Sequence, residues 1–295
     1  MKLTWQVKAP VTSLKRFLNQ QGVSHRVFSD LKQNGTIYVN GTVVTPAVSL
    51  QVGDEVAVTL PAETADPDVA TSTVPITVLF ENRDWLVVDK PAGLNVVPGP
   101  ANRTDTLVNR IKGHWADIQA ENQVPHILTR LDRFTSGIVW VARHRLANSL
   151  ASQLQAQHHL DKRYLAIVSG QLAQDHGIID EPLASDPTGY NQMVSPAGKP
   201  AQTEYWVQER FADATVVAVK LHTGRTHQIR AHFAYLGHPL VGDQLYDGPL
   251  IGAMTRQALH AHTLRFTDPF TQEERVFESS VPADWQQLLT QLRSE

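Results

Sequence analysis

The chain has 295 residues and a mass of 32.7 kDa, with 42% hydrophobic residues, 26 Lys and Arg against 29 Asp and Glu, and no Cys. At about 150 residues per domain this predicts two domains with ordinary apolar cores and excludes intrinsic disorder and collagen-like repeats. The missing thiols exclude a disulfide framework, thiolate zinc sites and a thiol nucleophile, and they fit a reducing, cytoplasmic setting.

The opening segment MKLTWQVKAPVTSLKRFLNQQ lacks the apolar run of a secretion signal, and no stretch approaches the ~18 apolar residues of a membrane helix. The expectation is an untargeted protein with no membrane partner. Charge is uneven along the chain. Residues 1–60 carry six Lys and Arg against three Asp and Glu, and 101–170 carry nine against five, while 61–100 and 171–295 are acidic. Such excesses occur on ordinary solvated faces and equally on surfaces that meet a polyanion.

In chain order, Leu14, Phe17 and Leu18 recur at helical spacing, and Val27, Phe28 and Leu31 predict a second short helix. Asn40-Gly41 between Thr36-Ile37-Tyr38-Val39 and Thr42-Val43-Val44 predicts a two-residue hairpin, because both turn residues tolerate positive φ. A strand over 55–58 closes this unit, which is set at residues 1–60. Residues 61–75 hold three prolines and three acids and read as an exposed linker. Strands are then predicted over 76–80, 85–88, 138–142 and 164–168, with a helix carrying Leu146, Leu150 and Leu154. Strands and helices alternate without a βαβ rhythm, so residues 76–295 are expected to form an α+β domain on a mixed, largely antiparallel sheet. No G-x-G-x-x-G or other phosphate loop occurs, and no nucleotide cofactor is expected.

Two polar constellations stand out. In Thr129-Arg130-Leu131-Asp132-Arg133-Phe134-Thr135-Ser136-Gly137 an acid lies between two arginines just before an apolar strand. Read alone, it is either a nucleophile or base at a pocket mouth or an ion pair that anchors the loop. In Thr223-Gly224-Arg225-Thr226-His227-Gln228-Ile229-Arg230-Ala231-His232, Thr226 is the expected N-cap of a helix of roughly ten residues. Its apolar stripe would be Ile229, Phe233 and Leu236, and Gly237 and Pro239 would stop it. Arg230, at the edge of that stripe, turns either inward toward a carboxylate or out to solvent. Tyr164 reads as core packing on a strand face shared with Ala166 and Val168.

The spacing of His227 and His232 does not match a helical zinc pair, and His260-Ala-His262 supplies only two ligands on one strand face. No metal is expected. Ser136 stands outside a G-x-S-x-G elbow.

Taken together, Arg130-Leu131-Asp132 with Thr135-Ser136-Gly137, the Thr223 to His232 run, Lys162-Arg163-Tyr164, Val87-Val88-Asp89-Lys90-Pro91-Ala92-Gly93, Leu236-Gly237-His238-Pro239-Leu240-Val241-Gly242-Asp243 and Leu259-His260-Ala261-His262 resemble the RluA-type pseudouridine synthase family. The resemblance runs through about residues 76–285. Residues 12–59 resemble the small alpha-L RNA-binding domain found in many members, with Lys15, Arg16, Arg26 and Lys32 as its candidate phosphate contacts and Lys15-Arg16-Phe17 where Arg-Leu-Asp is common. One departure is Thr129, where the family usually has His. The resemblance implies Asp132 as catalytic aspartate, Tyr164 as active-site tyrosine and Arg230 as the partner of the aspartate. For that chemistry Arg130, Arg133, Thr135, Arg225, His227 and Gln228 are the candidate substrate contacts, and residues 138–141 and Ile229 are the expected apolar walls around the uracil. No cofactor is implied. The expected partner is RNA, in the first instance large-subunit ribosomal RNA, acted on by a monomer. Transfer RNA as target, a non-catalytic RNA-binding or ribosome-assembly role, and a metal-dependent hydrolase built on the histidines are the alternatives.

Overall fold

The computed structural model describes residues 1–100, 102–187 and 189–294. Near the N-terminus, β1 (Lys2–Gln6) is followed by α1 (Leu14–Gln20), α2 (His25–Asn34), β2 (Thr36–Val39), β3 (Thr42–Val43) and β4 (Glu55–Thr59). The strands form one antiparallel sheet in the order β1-β4-β2-β3. Ser13 and Ser24 start the helices by accepting the N–H groups of Arg16 and Val27. The predicted apolar faces of both helices are buried with Ile37, Val56 and Val58 of the sheet. Asn40 and Gly41 take φ of 50° and 77°, the left-handed pair that lets Val39 face Thr42 across the hairpin. Strand β1 has little sequence signal of its own, since only Leu3 of its five residues is buried; it forms by pairing with β4.

Residues 61–75 hold no helix or strand, but they are not simply exposed. Glu63 and Ser72 are buried, and the carbonyls of Asp66, Val69 and Ala70 accept from Lys112 and Asn109. The segment is held down because a helix needs it as a source of acceptors.

The remaining elements are β5 (Thr77–Glu81), β6 (Trp85–Lys90), α3 (Leu107–Asp117), β7 (His126–Ile127), β8 (Ser136–Ala142), α4 (Arg145–Ala156), β9 (Leu160–Ser169), β10 (His176–Asp180), β11 (Leu183–Ser185), β12 (Gln192–Val194), β13 (Gln202–Arg210), β14 (Ala214–Leu221), α5 (Gln228–Tyr235), β15 (Leu259–Thr267), β16 (Glu274–Glu278) and α6 (Ala283–Leu292). Ten of the strands build one sheet, β10-β13-β14-β9-β15-β8-β6-β5, with β16 added to β15 and β7 to β8; β11 and β12 form a separate hairpin. The fold is α+β and the sheet is antiparallel except where β15 meets β8.

That parallel seam is short, pairing Ser136 with His260 and Gly137 with Ala261. Gly137 has φ of 107°, and a Cβ there would stand 2.2 Å from the Ala261 carbonyl, so only glycine allows the strands to approach. The seam delivers the 130–136 segment to the middle of the sheet. Behind it Trp85, Trp140 and Phe266 pack with ring centroids 4.9 and 4.2 Å apart along the series.

Helix α4 joins the two sheets. His144 caps it, with Nδ1 accepting from Ala147 N–H and Nε2 lying 2.9 Å from Asp84. Leu146 enters the N-terminal core, Ser149 donates to the Gly22 carbonyl, and Arg145 reaches both Asp30 and Glu63.

Glu63 sits at the centre of this junction, 2.9 Å from His126 Nε2 and accepting from both the backbone and Nε of Arg145. Burial raises its carboxyl, but His126 and Arg145 outweigh burial and hold it below the ordinary 4.5. A carboxyl depressed on folding adds stability that is complete above its unfolded value and lost as pH falls through the folded one. Glu63→Gln should therefore lower the thermal unfolding midpoint at neutral pH and shrink the wild type's loss of stability below about pH 5. Calorimetry across that range checks it, and an unchanged midpoint with unchanged acid sensitivity contradicts it.

Candidate active site

The loop entering β8 is held by its backbone. The Asp132 carbonyl accepts from Thr135 N–H at 3.1 Å, the Arg133 carbonyl from Gly93 N–H at 2.8 Å and Lys90 Nζ at 3.1 Å, and the Phe134 carbonyl from Arg256 Nη1 at 3.0 Å. Lys90 is fully buried and donates also to the carbonyls of Pro91 and Leu94, so all three ammonium hydrogens are engaged. Burial pushes its amine down to about 7, with the Asp132 charge opposing. Arg256 is fixed in turn by a two-pronged pairing with Asp284 of α6. Thr129 is buried and its hydroxyl accepts the Trp140 N–H at 2.8 Å, which braces the loop on β8.

The second constellation departs from its expected capping. His227, not Thr226, precedes α5, in a left-handed conformation with φ of 53° and no side-chain cap. Thr226 is exposed. The turn is held instead by Gln228, whose Oε1 accepts from Arg225 N–H and Thr223 Oγ1 and whose Nε2 donates to the Gln202 carbonyl and Thr203 Oγ1. The helix is correspondingly shorter than ten residues, and its buried stripe ends at Phe233 because Leu236 lies past the last turn, exposed.

Arg230 turns inward. Its Nε and Nη2 donate to Asp243 at 2.6 and 2.8 Å, and its Nη1 donates to Asp132 Oδ2 at 3.1 Å. Arg230 is 5% exposed and Asp243 1%, so this is an ion pair withdrawn from water with one further N–H left for Asp132. Burial acts against the guanidinium, but Asp243 and then Asp132 outweigh it and raise its pKa. Asp132 Oδ1 has no hydrogen bond among the described residues.

These groups open onto a cleft of about 990 Å³. Asp132, Tyr164, Arg230, Arg130, Arg133, Thr135, Arg225, His227 and Gln228 all line it, so the candidate residues taken from two distant sequence stretches and a strand come together. Arg130, Arg133 and Arg225 are exposed at its rim; Arg133 Nε donates to the Gly93 carbonyl and Arg225 Nε to that of Pro200. Tyr164 is buried on β9 beside Ala166 and Val168, and burial together with the Asp132 charge pushes its phenol well above 10. The apolar wall includes Ile229, Leu131, Leu221 and Leu259, but not residues 138–141, whose side chains fill the cores on the two faces of β8. One face of β8 is covered by Ala147 and Ala151 of α4 with Phe266, the other by Leu107, Ile111 and Trp115 of α3, so neither is left for the cleft.

Lys15, Arg16, Arg26 and Lys32 are exposed on α1 and α2 and are not part of the cleft. Among the described residues no three His, Asp or Glu are grouped to hold a metal. His260 and His262 share the Ser279 carbonyl, and His232 lies between Thr203 Oγ1 and the Glu181 carbonyl. Sequence reasoning missed Asp243, Tyr246, Lys90 and Arg256 as site residues. Asp243 and Lys90 stand inside motifs already visible in the sequence, but nothing there marks either as buried.

Lys90→Met would keep the aliphatic stem but leave the Pro91 and Leu94 carbonyls without the lysine donor and the Arg133 carbonyl with Gly93 N–H alone, at a loss of about 1–3 kcal/mol in stability near neutral pH. Because the folded amine titrates near 7 and the unfolded one at 10.5, wild type should gain on the variant as pH rises between those values. Urea unfolding at several pH values checks both; equal stability throughout contradicts them.

Comparison with known proteins bears on this cleft. Residues 84–235 match the family model described as RNA pseudouridylate synthase. The chain is 37% identical over 279 residues to an uncharacterized RNA pseudouridine synthase of Bacillus subtilis, an alignment covering 94% of this chain and 98% of that protein. It is 36% identical to the ribosomal large subunit pseudouridine synthase D of Vibrio parahaemolyticus, over 89% of this chain and 84% of that one. In fold it is similar to human RNA pseudouridylate synthase domain containing 4, with a TM-score of 0.62 at 20% identity over 74% of this chain and 93% of the other. The model match spans the Asp132 loop, Tyr164 and Arg230 in one stretch, and the chain belongs to the RNA pseudouridylate synthase family.

Proposed function

We propose that the protein isomerises uridines of large-subunit ribosomal RNA, with Asp132 as the carboxylate acting at the target ribose, Arg230 as its anchor and Tyr164 as the group that handles the C5 proton. The observation that carries this reading is the convergence on one cleft of a carboxylate gripped by a buried arginine and a buried tyrosine within the field of that carboxylate. The large-subunit target is supported by relatives named as large-subunit enzymes.

The reaction breaks the C1′–N1 bond, turns the uracil and joins C1′ to C5; the base loses a proton at C5 and gains one at N1. Asp132 either attacks C1′, forming an ester that C5 later displaces, or takes the 2′ proton to give a glycal. Both routes need a carboxylate with a free oxygen, and Arg230 holds Oδ2 while Oδ1 is left open. Tyr164 stays a neutral phenol near pH 7, so its oxygen accepts the C5 proton as its own hydroxyl proton passes through solvent to N1, rather than serving as a preformed phenolate. The exposed rim arginines suit the phosphates on either side of a uridine drawn out of its stack.

We further place residues 1–60 as an RNA-binding module, 61–75 as its connection and 76–295 as the catalytic domain, acting as a monomer in the cytoplasm. Lys15, Arg16, Arg26 and Lys32 present an exposed basic face on α1 and α2. Among the described residues no helix is long and apolar enough to cross a membrane.

The test is release of tritium from C5 of labelled uridines in large-subunit ribosomal RNA and in transfer RNA transcripts, with wild type and Asp132→Asn. Release from the ribosomal transcript by wild type alone is expected; equal release by Asp132→Asn would overturn the role of Asp132, and release from transfer RNA only would move the target. Tyr164→Phe, folded by circular dichroism, should slow release by about 10²-fold or more. Replacing Lys15 and Arg16 by Gln should weaken RNA binding and lower its logarithmic salt slope by roughly 1 for each lost phosphate contact. An unchanged slope would remove the module from the RNA interface.

A further inference from the structure

His227 occupies a conformation that needs a reason. A non-glycine residue at φ of 53° carries backbone strain, and it begins α5 without capping it. Its imidazole lies between two groups of opposite character. Nδ1 is 3.2 Å from Tyr246 Oη, and Nε2 is 3.9 Å from Asp132 Oδ2, on the wall of the cleft.

The hydrogen bonds around Tyr246 point to one of the two imidazole tautomers. Tyr246 Oη accepts the backbone N–H of Gln192 at 2.8 Å and keeps its own hydrogen to donate, with His227 Nδ1 3.2 Å away as an acceptor. With Nδ1 accepting, a neutral imidazole must carry its hydrogen on Nε2, the nitrogen facing Asp132. Burial lowers the imidazole's affinity for a second proton and raises that of the Tyr246 phenol, which keeps Tyr246 a donor. The Asp132 and Asp243 carboxylates and the Arg230 guanidinium are the charged groups that face this ring. Tyr246 also lies under Arg230, whose Cζ is 5.0 Å from the ring centroid, so one residue contacts both groups that flank Asp132.

We propose that Tyr246 is a positioning residue that locks His227 in the Nε2–H tautomer, and that His227 is thereby a second, neutral donor to Asp132 Oδ2, closing the remaining gap when the target nucleotide fills the cleft. This rests on Asp132 being the reacting carboxylate. It divides the work on that carboxylate: Arg230 and His227 hold Oδ2 from two sides, and Oδ1 is left for the ribose. A charged donor on both sides would stabilise the carboxylate more strongly and make it a poorer nucleophile; a neutral second donor orients it with less cost in basicity.

Two measurements test this. Nitrogen-15 spectra of histidine-labelled protein, with the His227 signals assigned by their loss in His227→Gln, report the tautomer without any reaction taking place. The expected result is the Nε2–H form in wild type and its loss in Tyr246→Phe; an Nδ1–H or doubly protonated ring in wild type near pH 7.5 overturns the proposal. In the tritium-release assay His227→Ala should lose about 10²-fold while His227→Gln, which restores an N–H near the Nε2 position, recovers most of it. Tyr246→Phe should slow wild type but add nothing in the His227→Gln background, and an equal penalty in both backgrounds overturns the proposal. Failure of wild type to release tritium from either RNA would instead refute the function proposed above, with the spectroscopic result standing apart from it.

Discussion

A single guanidinium shared between two carboxylates organises the cleft. Arg230 gives two N–H groups to Asp243, which is almost completely withdrawn from water, and one to Asp132, whose side chain is 27% exposed. The sharing is unequal: Asp243 takes two N–H groups in a buried site, while Asp132 takes one and keeps an oxygen open at the cleft. Asp243 alone would be an uncompensated buried charge, and removing its partner carries a penalty of about 3–5 kcal/mol. The arginine is therefore required by the fold, and one of its other N–H groups is what the fold offers to the reaction.

The loop that carries Asp132 is controlled from its other side. Lys90 and Arg256, one wholly buried and one tied to Asp284, direct their hydrogens at carbonyls of residues 133 and 134, while the side chains of Asp132, Arg133 and Thr135 line the cleft. Gly137 lets β8 and β15 close behind the loop. A carboxylate held at both its backbone and one oxygen has little freedom left to lose on binding, and small displacements of such a group are expensive in rate. The rim, in contrast, is built of arginines with free N–H groups, suited to a substrate whose phosphates vary in position.

Much of this was legible in the residues, and what was not has physical causes. Asn40-Gly41 specifies its hairpin locally, and Ile229 and Phe233 mark the buried side of α5, because in both cases the signal and the structure span only a few positions. The two polar constellations could be identified as candidates, and the family resemblance tied them to one chemistry. Neither periodicity nor spacing indicated that Arg230 has Asp243 as its main partner, since that pairing depends on how the chain returns after α5. The cap expected at Thr226 failed because Gln228 already satisfies the turn from inside the helix. Residues 138–141 looked like a pocket wall and proved to be sheet core, a distinction that depends on α3 and α4 packing over the two faces of β8.

The central claim is that Asp132 functions because Asp243 holds Arg230 in place. Asp243→Asn tests it most directly: the amide keeps the shape and part of the hydrogen bonding but removes the charge that fixes the guanidinium. Single-turnover tritium release, on protein shown to be folded by circular dichroism, should fall by about 10²-fold or more while RNA affinity is retained. Wild-type release rates from a folded Asp243→Asn protein would contradict the claim.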